Sequence, residues 1–486
     1  MDERLEHFYR IFGTDGTGIS HVLAKALSNG GDYADIFFEY TTSNMLLLQE
    51  GQVKATSVEC IFGAGVRVVC GTHTGYAYTE STALADLMNA AKTASAIALS
   101  FERRVAPVPL SLMHCRQDRY PVVTPWEDIS VLKKKEVLDS LNDAVYRRSD
   151  AIVSVSGRIT DSNSKILFAN SLGNLYTDER PLAELTLGVV MKRGSRMESA
   201  YSSRSFRMGY EFLSAGRNGE GEMGESIVEE IAEEAVNSCK RLFDASQPPC
   251  GEMAVVMGSG SSGVLLHEAI GHTFEADFIR KGTSIFSDKL GKRICREGIN
   301  IVDDGTIKYN RGSVNFDDEG VEGQKTYLVK DGILNSYLHD RISAEYFGTA
   351  PTGNGRRESF RDMPIPRMRA TYMESGNVSQ QDIISSVSNG IYVDELSNGQ
   401  VQIGAGDFTF FVKSGFLIEN GKLTRPIKDT NIIGNGPAAL ADILAVGNNA
   451  VIDNGTWLCR KGQSCPVSCG MPSVLVKSLN VGGIYE

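Results

Sequence analysis

The stretch His267-Glu268-Ala269-Ile270-Gly271-His272 carries two of the seven histidines of the chain, with a glutamate directly after the first. Neutral imidazole is a common ligand of zinc, and a carboxylate beside such a site can take a proton from water that the metal acidifies. The stretch therefore indicates a helix that holds a metal ion. A helix with two unrelated histidines is the simpler alternative.

The spacing of these two histidines is unusual. The zinc-peptidase helix motif places its histidines four residues apart, so that both lie on one face. Here the second histidine follows five residues after the first, which on a regular α-helix leaves the side chains about 140° apart. They can share a metal only if the helix is deformed or ends between them. Gly271 tolerates such a break, and a single π-turn would have the same effect.

A third ligand is expected, because a catalytic zinc site usually has three protein ligands and one position for water. Among the other histidines, His339 is the nearest in sequence, whereas those in the first half are expected in the core or on the surface (His7, His21, His73 and His114). The remaining candidates are acidic or sulfur ligands: Glu275, Asp277, Cys459, Cys465 and Cys469. Spacing alone does not choose among them.

Other motifs have competing interpretations. The loop Gly258-Ser259-Gly260-Ser261-Ser262-Gly263 matches a dinucleotide-binding fingerprint, but no acidic residue ends a second strand about 20 residues on. We expect instead a tight turn whose serines cap the next helix. Asp303-Asp304-Gly305 and Asp317-Asp318-Glu319-Gly320 lack the alternating carboxylates of a calcium loop and are interpreted as turns.

Composition restricts the class of protein. The chain has 486 residues, a net charge of −11 and 42% hydrophobic residues, which is typical of a globular protein and gives no support for nucleic-acid binding. The charged N-terminus, Met1–Glu6, does not resemble a secretory signal, and no apolar run is long enough for a membrane span. The nine scattered cysteines favour reduced thiols and a cytoplasmic location.

The pattern of apolar residues predicts an α+β protein with two domains. The first half mixes helices with strand-like runs such as Ala34–Glu39 and Asn44–Gln49. Pro248-Pro249 cannot continue the helix before them, so we place the boundary between an N-terminal mixed α/β domain, residues 1–245, and a second domain, residues 246–486. The second domain is expected to be β-rich and largely antiparallel, and it carries the metal-site helix.

Several stretches of the second half together resemble the TldD/PmbA family of metallopeptidases, also known as modulators of DNA gyrase. They are Leu266–His272, Asp317–Gly320, Ala350–Ser359, Ile433–Pro437 and Lys461–Gln463 with the run to Gly483. The branch of the family that lacks the histidines and glutamate binds no catalytic metal, and this chain keeps them. It is therefore similar to the TldD branch, although Met471-Pro472 stands where Gln-Pro is common.

The resemblance implies a ligand set and a partner. In the TldD branch a cysteine just before the K-x-G-Q segment completes the zinc site, which here selects Cys459 with His267 and His272, for one divalent ion per chain. Cys465 and Cys469 fall where the family tolerates other residues. The resemblance also implies small or unfolded polypeptide substrates, and a dimer with a TldE/PmbA-like subunit or with a second copy of the chain.

These inferences predict a zinc-dependent peptidase in which Glu268 is the general base and then protonates the leaving amine. The sequence does not identify the residue that donates a hydrogen bond to the oxyanion; His339, Arg356 and Tyr337 are candidates. The substrate-binding residues are unknown, and we expect pairing of an extended peptide with a free strand edge. The alternative function is a non-catalytic subunit of a TldD/TldE-type modulator complex.

Overall fold

The computed structural model describes residues 2–98, 105–214 and 226–483. In these ranges the α-helices are Glu3–Phe12 (α1), Gly16–Ala26 (α2), Leu84–Ala98 (α3), Val131–Tyr146 (α4), Ile227–Leu242 (α5), Val264–Leu266 (α6), Ala276–Arg280 (α7), Arg341–Phe347 (α8), Gln380–Ser385 (α9) and Gly436–Ala441 (α10). No helix in the described ranges is both long and apolar enough to cross a membrane.

The strands of the first half are Tyr33–Gln49 (β1), Gln52–Cys70 (β2), His73–Thr79 (β3), Ser111–Leu112 (β4), Ile152–Asn170 (β5), Asn174–Arg193 (β6) and Arg196–Phe206 (β7). They form one sheet in the order β3-β2-β1-β5-β6-β4, and β7 also pairs with β6. The short strand β4 is parallel to β6, and the other pairs are antiparallel.

The two short strands predicted at Ala34–Glu39 and Asn44–Gln49 are one continuous strand, β1. Between them, Thr41 pairs with Ile61 of β2 on one side and with Ser164 of β5 on the other. Polar β-branched residues fit a pleated sheet well, and no glycine or proline interrupts the segment. The prediction of two strands was wrong because pairing on both sides extends a strand through polar residues.

The two faces of this sheet have different neighbours, because side chains alternate along a strand. Ile36 and Phe38 of β1 pack with α1, α2 and α3, whereas Phe37 between them packs with Phe316 and Phe360 of the second half. Helices α4 and α5 pack on the far part of β5, β6 and β7. The second half of the chain therefore lies on the face that the helices leave free.

The strands of the second half are Gly251–Met257 (β8), Ile301–Asp304 (β9), Lys325–Lys330 (β10), Ile333–Leu334 (β11), Gly355–Arg356 (β12), Ile365–Pro366 (β13), Ala370–Met373 (β14), Asn389–Val401 (β15), Asp407–Glu419 (β16), Lys422–Ile427 (β17), Thr430–Asn435 (β18), Ile443–Val446 (β19), Val451–Asp453 (β20), Leu458–Arg460 (β21), Ser464–Pro466 (β22), Ser468–Met471 (β23) and Val474–Gly483 (β24). Among the strands named here, only β8–β15 and β14–β23 pair in parallel. This confirms the α+β class and the β-rich, largely antiparallel second domain.

Two larger sheets organise these strands. In the first, β15-β8-β24-β18-β16 form a closed ring, because β16 pairs back with β15, and β17 and β19 extend it. In the second, six strands follow the order β11-β10-β9-β14-β23-β20. Two separate ribbons, β12–β13 and β21–β22, complete the half. The domain boundary at 245/246 stays a proposal, and Ser246 already pairs with Ile427 of β17.

Buried ion pairs join the two halves. The guanidinium of Arg67 on β2 contacts Asp35 of β1 and lies 2.6 Å from Glu319 Oε1 of the second half. Arg180 of β6 likewise lies 2.6 Å from Asp318 Oδ1. The side chains of Arg67, Asp35 and Glu319 are inaccessible to solvent. The segment Asp317–Gly320, which was interpreted as a turn, is therefore also an anchor between the halves.

We predict that Arg67→Leu lowers the free energy of unfolding by about 3–5 kcal/mol, because it leaves two buried carboxylates without their main cation. Urea unfolding followed by the fluorescence of Trp126 and Trp457 measures the change in both halves. The control is Arg116→Leu, whose side chain is 91% exposed near Glu322 and should change stability by less than about 1 kcal/mol. Equal effects of the two substitutions would contradict the anchoring role.

Candidate metal centre

The helix that carries both histidines changes its winding at the first of them. A 3₁₀ turn, Ser261–Gly263, leads into α6, and the backbone then continues as a π-helical segment over His267–Gly271 and a 3₁₀ turn over His272–Phe274. A π-helix bonds residues five apart, so it brings positions 267 and 272 to the same side. This is the deformation that the five-residue spacing requires.

Close backbone contacts hold this segment. A Cβ atom at Gly271 would lie 2.1 Å from Sδ of the buried Met368, and one at Gly263 would lie 2.4 Å from the backbone nitrogen of Gly470 on β23. A side chain at Gly263 would push the helix away from the backbone of β23, whereas one at Gly271 would displace the side chain of Met368. Gly271 itself has a helical backbone conformation. A larger residue is therefore disfavoured there by the contact with Met368 and not by backbone strain.

The glycine-rich loop before the helix is a tight turn, as predicted, but its serines do not cap the helix. Gly260 precedes the 3₁₀ turn, where no side-chain cap forms, and the hydroxyl of Ser261 donates to the carbonyl of Asp394. The preceding strand β8 lies between β15 and β24 in the closed ring. The prediction of serine caps was wrong: the hydroxyl of Ser261 bonds to the neighbouring strand β15 instead, and the buried hydroxyl of Ser262 has no hydrogen-bond partner among the described residues.

The segments at 267–272 and at 459 meet in one buried cluster. One ligand atom from each of His267, His272 and Cys459 lies within 4.8 Å of the other two. Cys459 Sγ is 3.3 Å from His272 Nε2, and the two imidazole rings are 5.1 Å apart between centroids. Cys459 comes from β21, 187 residues after His272.

Glu268 lies at the open side of this cluster. Its carboxylate is 4.0 Å from His272 Nε2, and its side chain is 29% exposed, whereas that of His272 is 7% exposed. A water or a substrate entering from solvent would therefore reach Glu268 before the histidines. The carboxylate is close enough to exchange a proton with a group at the cluster through one water.

The other candidate ligands lie elsewhere. His339 is buried with Nδ1 3.3 Å from the hydroxyl of Ser343, and burial lowers its pKa to about 4. Asp277 pairs with Lys461 at 2.6 Å. The sulfurs of Cys465 and Cys469 are buried outside the three-residue group that the described residues form.

The three candidates for a hydrogen-bond donor to the oxyanion are His339, Arg356 and Tyr337. His339 is buried, and the other two already donate to backbone carbonyls. The guanidinium of Arg356 donates to the carbonyls of Met368 and Pro466. The hydroxyl of Tyr337 donates to the carbonyl of Phe286. An oxyanion would have to compete with these bonds.

Glu275, considered above as a ligand, contacts the far side of His272 instead. It is inaccessible to solvent, and its Oε2 lies 2.9 Å from His272 Nδ1, the distance of a hydrogen bond in which the imidazole donates. A carboxylate on one ring nitrogen fixes the orientation of the ring and leaves the other nitrogen free for a metal. Sequence reasoning missed this role, although the separation of three residues was a signal for it.

Two cations stabilise the Glu275 carboxylate. Lys461 Nζ lies 3.0 Å from its Oε2, and Arg367 Nε lies 3.9 Å from its Oε1. Burial alone would raise the pKa of Glu275, but Lys461, His272 and Arg367 together hold that pKa at about 2. The lysine of the K-x-G-Q segment therefore keeps the partner of His272 ionised.

The cluster favours a thiolate at Cys459. Burial raises the pKa of this thiol, but the charges and hydrogen bonds of His267 and His272 outweigh burial and lower the pKa to about 4. Burial lowers the pKa of His272, yet Glu275 and Cys459 raise it well above its usual value. A metal ion bound at Nε2 of His272 would replace the proton that this nitrogen holds in the present arrangement.

The donor set fits a zinc ion. Two imidazoles and one thiolate are nitrogen and sulfur ligands of the kind that zinc prefers, and three protein ligands leave one position open. In the described residues, the buried Nδ1 atom of His267 has no hydrogen-bond partner, so this imidazole has binding capacity that the protein does not use. His267, His272 and Cys459 could therefore hold one divalent ion.

Comparisons with known proteins agree along the whole chain. Models of the PmbA/TldA metallopeptidase match as domain 1 over residues 34–98, as the central domain over 124–239 and as the C-terminal domain over 250–483. A protein of Buchnera aphidicola named metalloprotease TldD homolog is 37% identical over 462 residues, which is 93% of this chain and 93% of that protein.

Two further comparisons bear on the identity of the metal and on the fold. A protein of Saccharolobus solfataricus named zinc metalloprotease TldD homolog is 28% identical, over 95% of this chain and 99% of its own length. The crystal structure of TldE from Thermococcus kodakarensis has a TM-score of 0.73 at 18% identity, covering 96% of this chain and 100% of that one. The latter similarity shows a shared fold.

We predict that Glu275→Gln weakens zinc binding about 10- to 100-fold, because the neutral amide no longer holds His272 as a carboxylate does. Competition with a chromogenic chelator on the full chain measures the affinity. The control is Glu374→Gln, which removes a carboxylate that lies 2.6 Å from Lys325 and is not part of the candidate metal site. Unchanged zinc affinity in Glu275→Gln, with a normal thermal midpoint, would contradict the positioning role.

Proposed function

Because the chain belongs to the PmbA/TldD metallopeptidase family, we propose that it is a zinc-dependent peptidase whose metal is held by His267, His272 and Cys459. The observation that carries this proposal is the meeting of these three ligand atoms in one buried group, with an accessible carboxylate beside it. The name of the Saccharolobus relative supports zinc as the ion.

A bound zinc ion would supply Lewis acidity that makes water nucleophilic near neutral pH. In the proposed reaction Glu268 accepts the proton of the attacking water and then delivers it to the leaving amine of the peptide. Glu275 holds His272 in one orientation while this proton moves. Lys461 keeps Glu275 ionised, so that Glu275 does not compete for the proton.

The proposed substrates are small or unfolded polypeptides in an extended conformation. The strands of the closed ring offer few free edges, because each of the five is paired on both sides. The ribbons β12–β13 and β21–β22 pair with no other strand among the described ones, and Arg356 of the first donates to Pro466 of the second. A free edge of a ribbon next to Cys459 can pair with the backbone of an extended chain and excludes folded proteins.

The proposed setting is the cytoplasm, with a dimer partner. The nine cysteines, all within the described ranges, form no disulfide, as expected for a reducing compartment. The similarity in fold to TldE supports pairing with a TldE/PmbA-like subunit or with a second copy of the chain. A purely structural subunit would have no need for an accessible glutamate beside three clustered ligands.

We predict that Glu268→Ala keeps its zinc and loses at least about 100-fold of the peptidase rate, because general acid–base groups contribute factors of about 10²–10⁴. Cleavage of a reduced and alkylated small protein by the zinc-loaded chain, with and without its partner subunit, measures the rate. The same small protein in its native fold should be resistant. Full activity of the variant would remove Glu268 from the mechanism.

The ligand set makes a separate prediction. Cys459→Ser should lose zinc during dialysis, because a hydroxyl is a much poorer ligand than a thiolate. The matched control is Cys465→Ser, which removes the thiol directly opposite on the same ribbon and should retain one zinc per chain. Metal analysis of both proteins measures retention, and equal zinc content would argue against Cys459 as a ligand.

A further inference from the structure

Two thiols face each other across the ribbon β21–β22. Cys459 of β21 and Cys465 of β22 are direct partners in antiparallel register, so their side chains project from the same face. The backbone bonds Lys461 N to Gln463 O and Val467 N to Trp457 O lie two positions away on either side. The pair is therefore of the hydrogen-bonded kind, with a Cα separation of about 5.5 Å.

The mechanism leaves Cys465 unused. Its side chain is buried, and its sulfur lies 3.6 Å from Nη1 of Arg367, whose Nη2 donates to the carbonyl of Cys459. It is not part of the group of three ligand atoms that the described residues form. A second thiol next to a thiolate ligand is thus a feature of this chain for which the peptidase reaction has no use.

We propose that Cys459 and Cys465 form a reversible disulfide when the protein meets a hydroperoxide, and that this bond removes the sulfur ligand and releases the metal. The inference rests on the proposed function, because it assigns Cys459 to the zinc site. Cys465 is then the resolving thiol of a redox switch. Oxidation stops peptide cleavage without unfolding the chain.

The chemistry balances with hydrogen peroxide as the oxidant. The thiolate of Cys459 attacks one peroxide oxygen, the O–O bond breaks, and the sulfur is oxidised to a sulfenic acid; the other peroxide oxygen leaves as hydroxide and takes a proton from solvent to form water. The sulfur of Cys465 then attacks the sulfenic sulfur. The S–S bond forms, the S–O bond breaks, and the thiol proton of Cys465 leaves with the hydroxyl as a second water. One thiolate, one thiol, one peroxide and one proton from solvent become one disulfide and two waters.

The ribbon geometry favours reversibility. Opposed Cβ atoms in such a pair lie up to about 5.5 Å apart, whereas a disulfide needs about 3.8 Å, so the strands must approach each other. Among the described strands, β21 and β22 pair only with each other, and the glycine turn at Gly462 joins them, so this movement disturbs no larger sheet. A bond formed under such strain is readily reduced again.

The test uses the zinc-loaded full chain, treated with hydrogen peroxide and then with dithiothreitol and zinc. We expect the wild type to release its one zinc per chain, to lose the mass of two hydrogen atoms, and to regain the zinc after reduction. Trypsin cleaves after Arg460 and Lys461, between the two cysteines, so the disulfide should join two peptides that otherwise separate. The control Cys295→Ala, which lacks a buried thiol elsewhere, should behave as the wild type.

Cys465→Val separates the switch from simple oxidation. This variant should bind zinc before treatment, lose it to peroxide, and fail to regain it, because a sulfenic acid without a resolving thiol proceeds to irreversible oxidation states. Recovery equal to that of the wild type, or zinc release without a joined peptide, overturns the switch while leaving the peptidase proposal intact. Absence of zinc before oxidation would instead overturn the proposed function, and the switch with it.

Discussion

The candidate site depends on one geometric constraint: two imidazoles five residues apart must lie on one side of a helix. A regular α-helix separates them, so the backbone widens into a π-helical segment at His267–Gly271. The turn before that segment lies against the backbone of β23 at Gly263, and the segment itself lies against the side chain of Met368 at Gly271. The strand β23 and Met368 thus limit the size of the residues that the helix can carry at these two positions.

A second constraint is the placement of charge away from water. The cluster keeps a thiolate, a carboxylate and several cations buried together, and each is stabilised by the next: Cys459 by the imidazoles, His272 by Glu275, and Glu275 by Lys461 and Arg367. Burying one such charged group alone costs much free energy, and the cost is offset only when the groups pair with and hydrogen-bond to one another. The same logic applies at Arg67, where a buried cation joins the two halves of the fold.

The sequence was informative wherever the cause is local. The α+β class follows from periodicity, and the irregular helix follows from the spacing of His267 and His272, which no regular helix can accommodate. Contacts between distant segments could not be predicted in this way. No periodicity relates Cys459 to His272, and only the resemblance to the family selected Cys459 as a ligand. The continuity of β1 and the bond from Ser261 to Asp394 also could not be predicted, because both depend on neighbouring strands. The contact of Glu275 with His272 is local, but the low pKa of Glu275 depends on Lys461 from a distant segment.

The long chain separation within the cluster has a consequence for synthesis. His272 and Cys459 are 187 residues apart, so the helix leaves the ribosome well before the strand that carries the thiol. At about 5–20 residues per second, that interval lasts on the order of ten seconds or more. A nascent chain therefore holds only two of the three proposed ligands during this time, and the proposed metal site can be completed only after β21 has emerged.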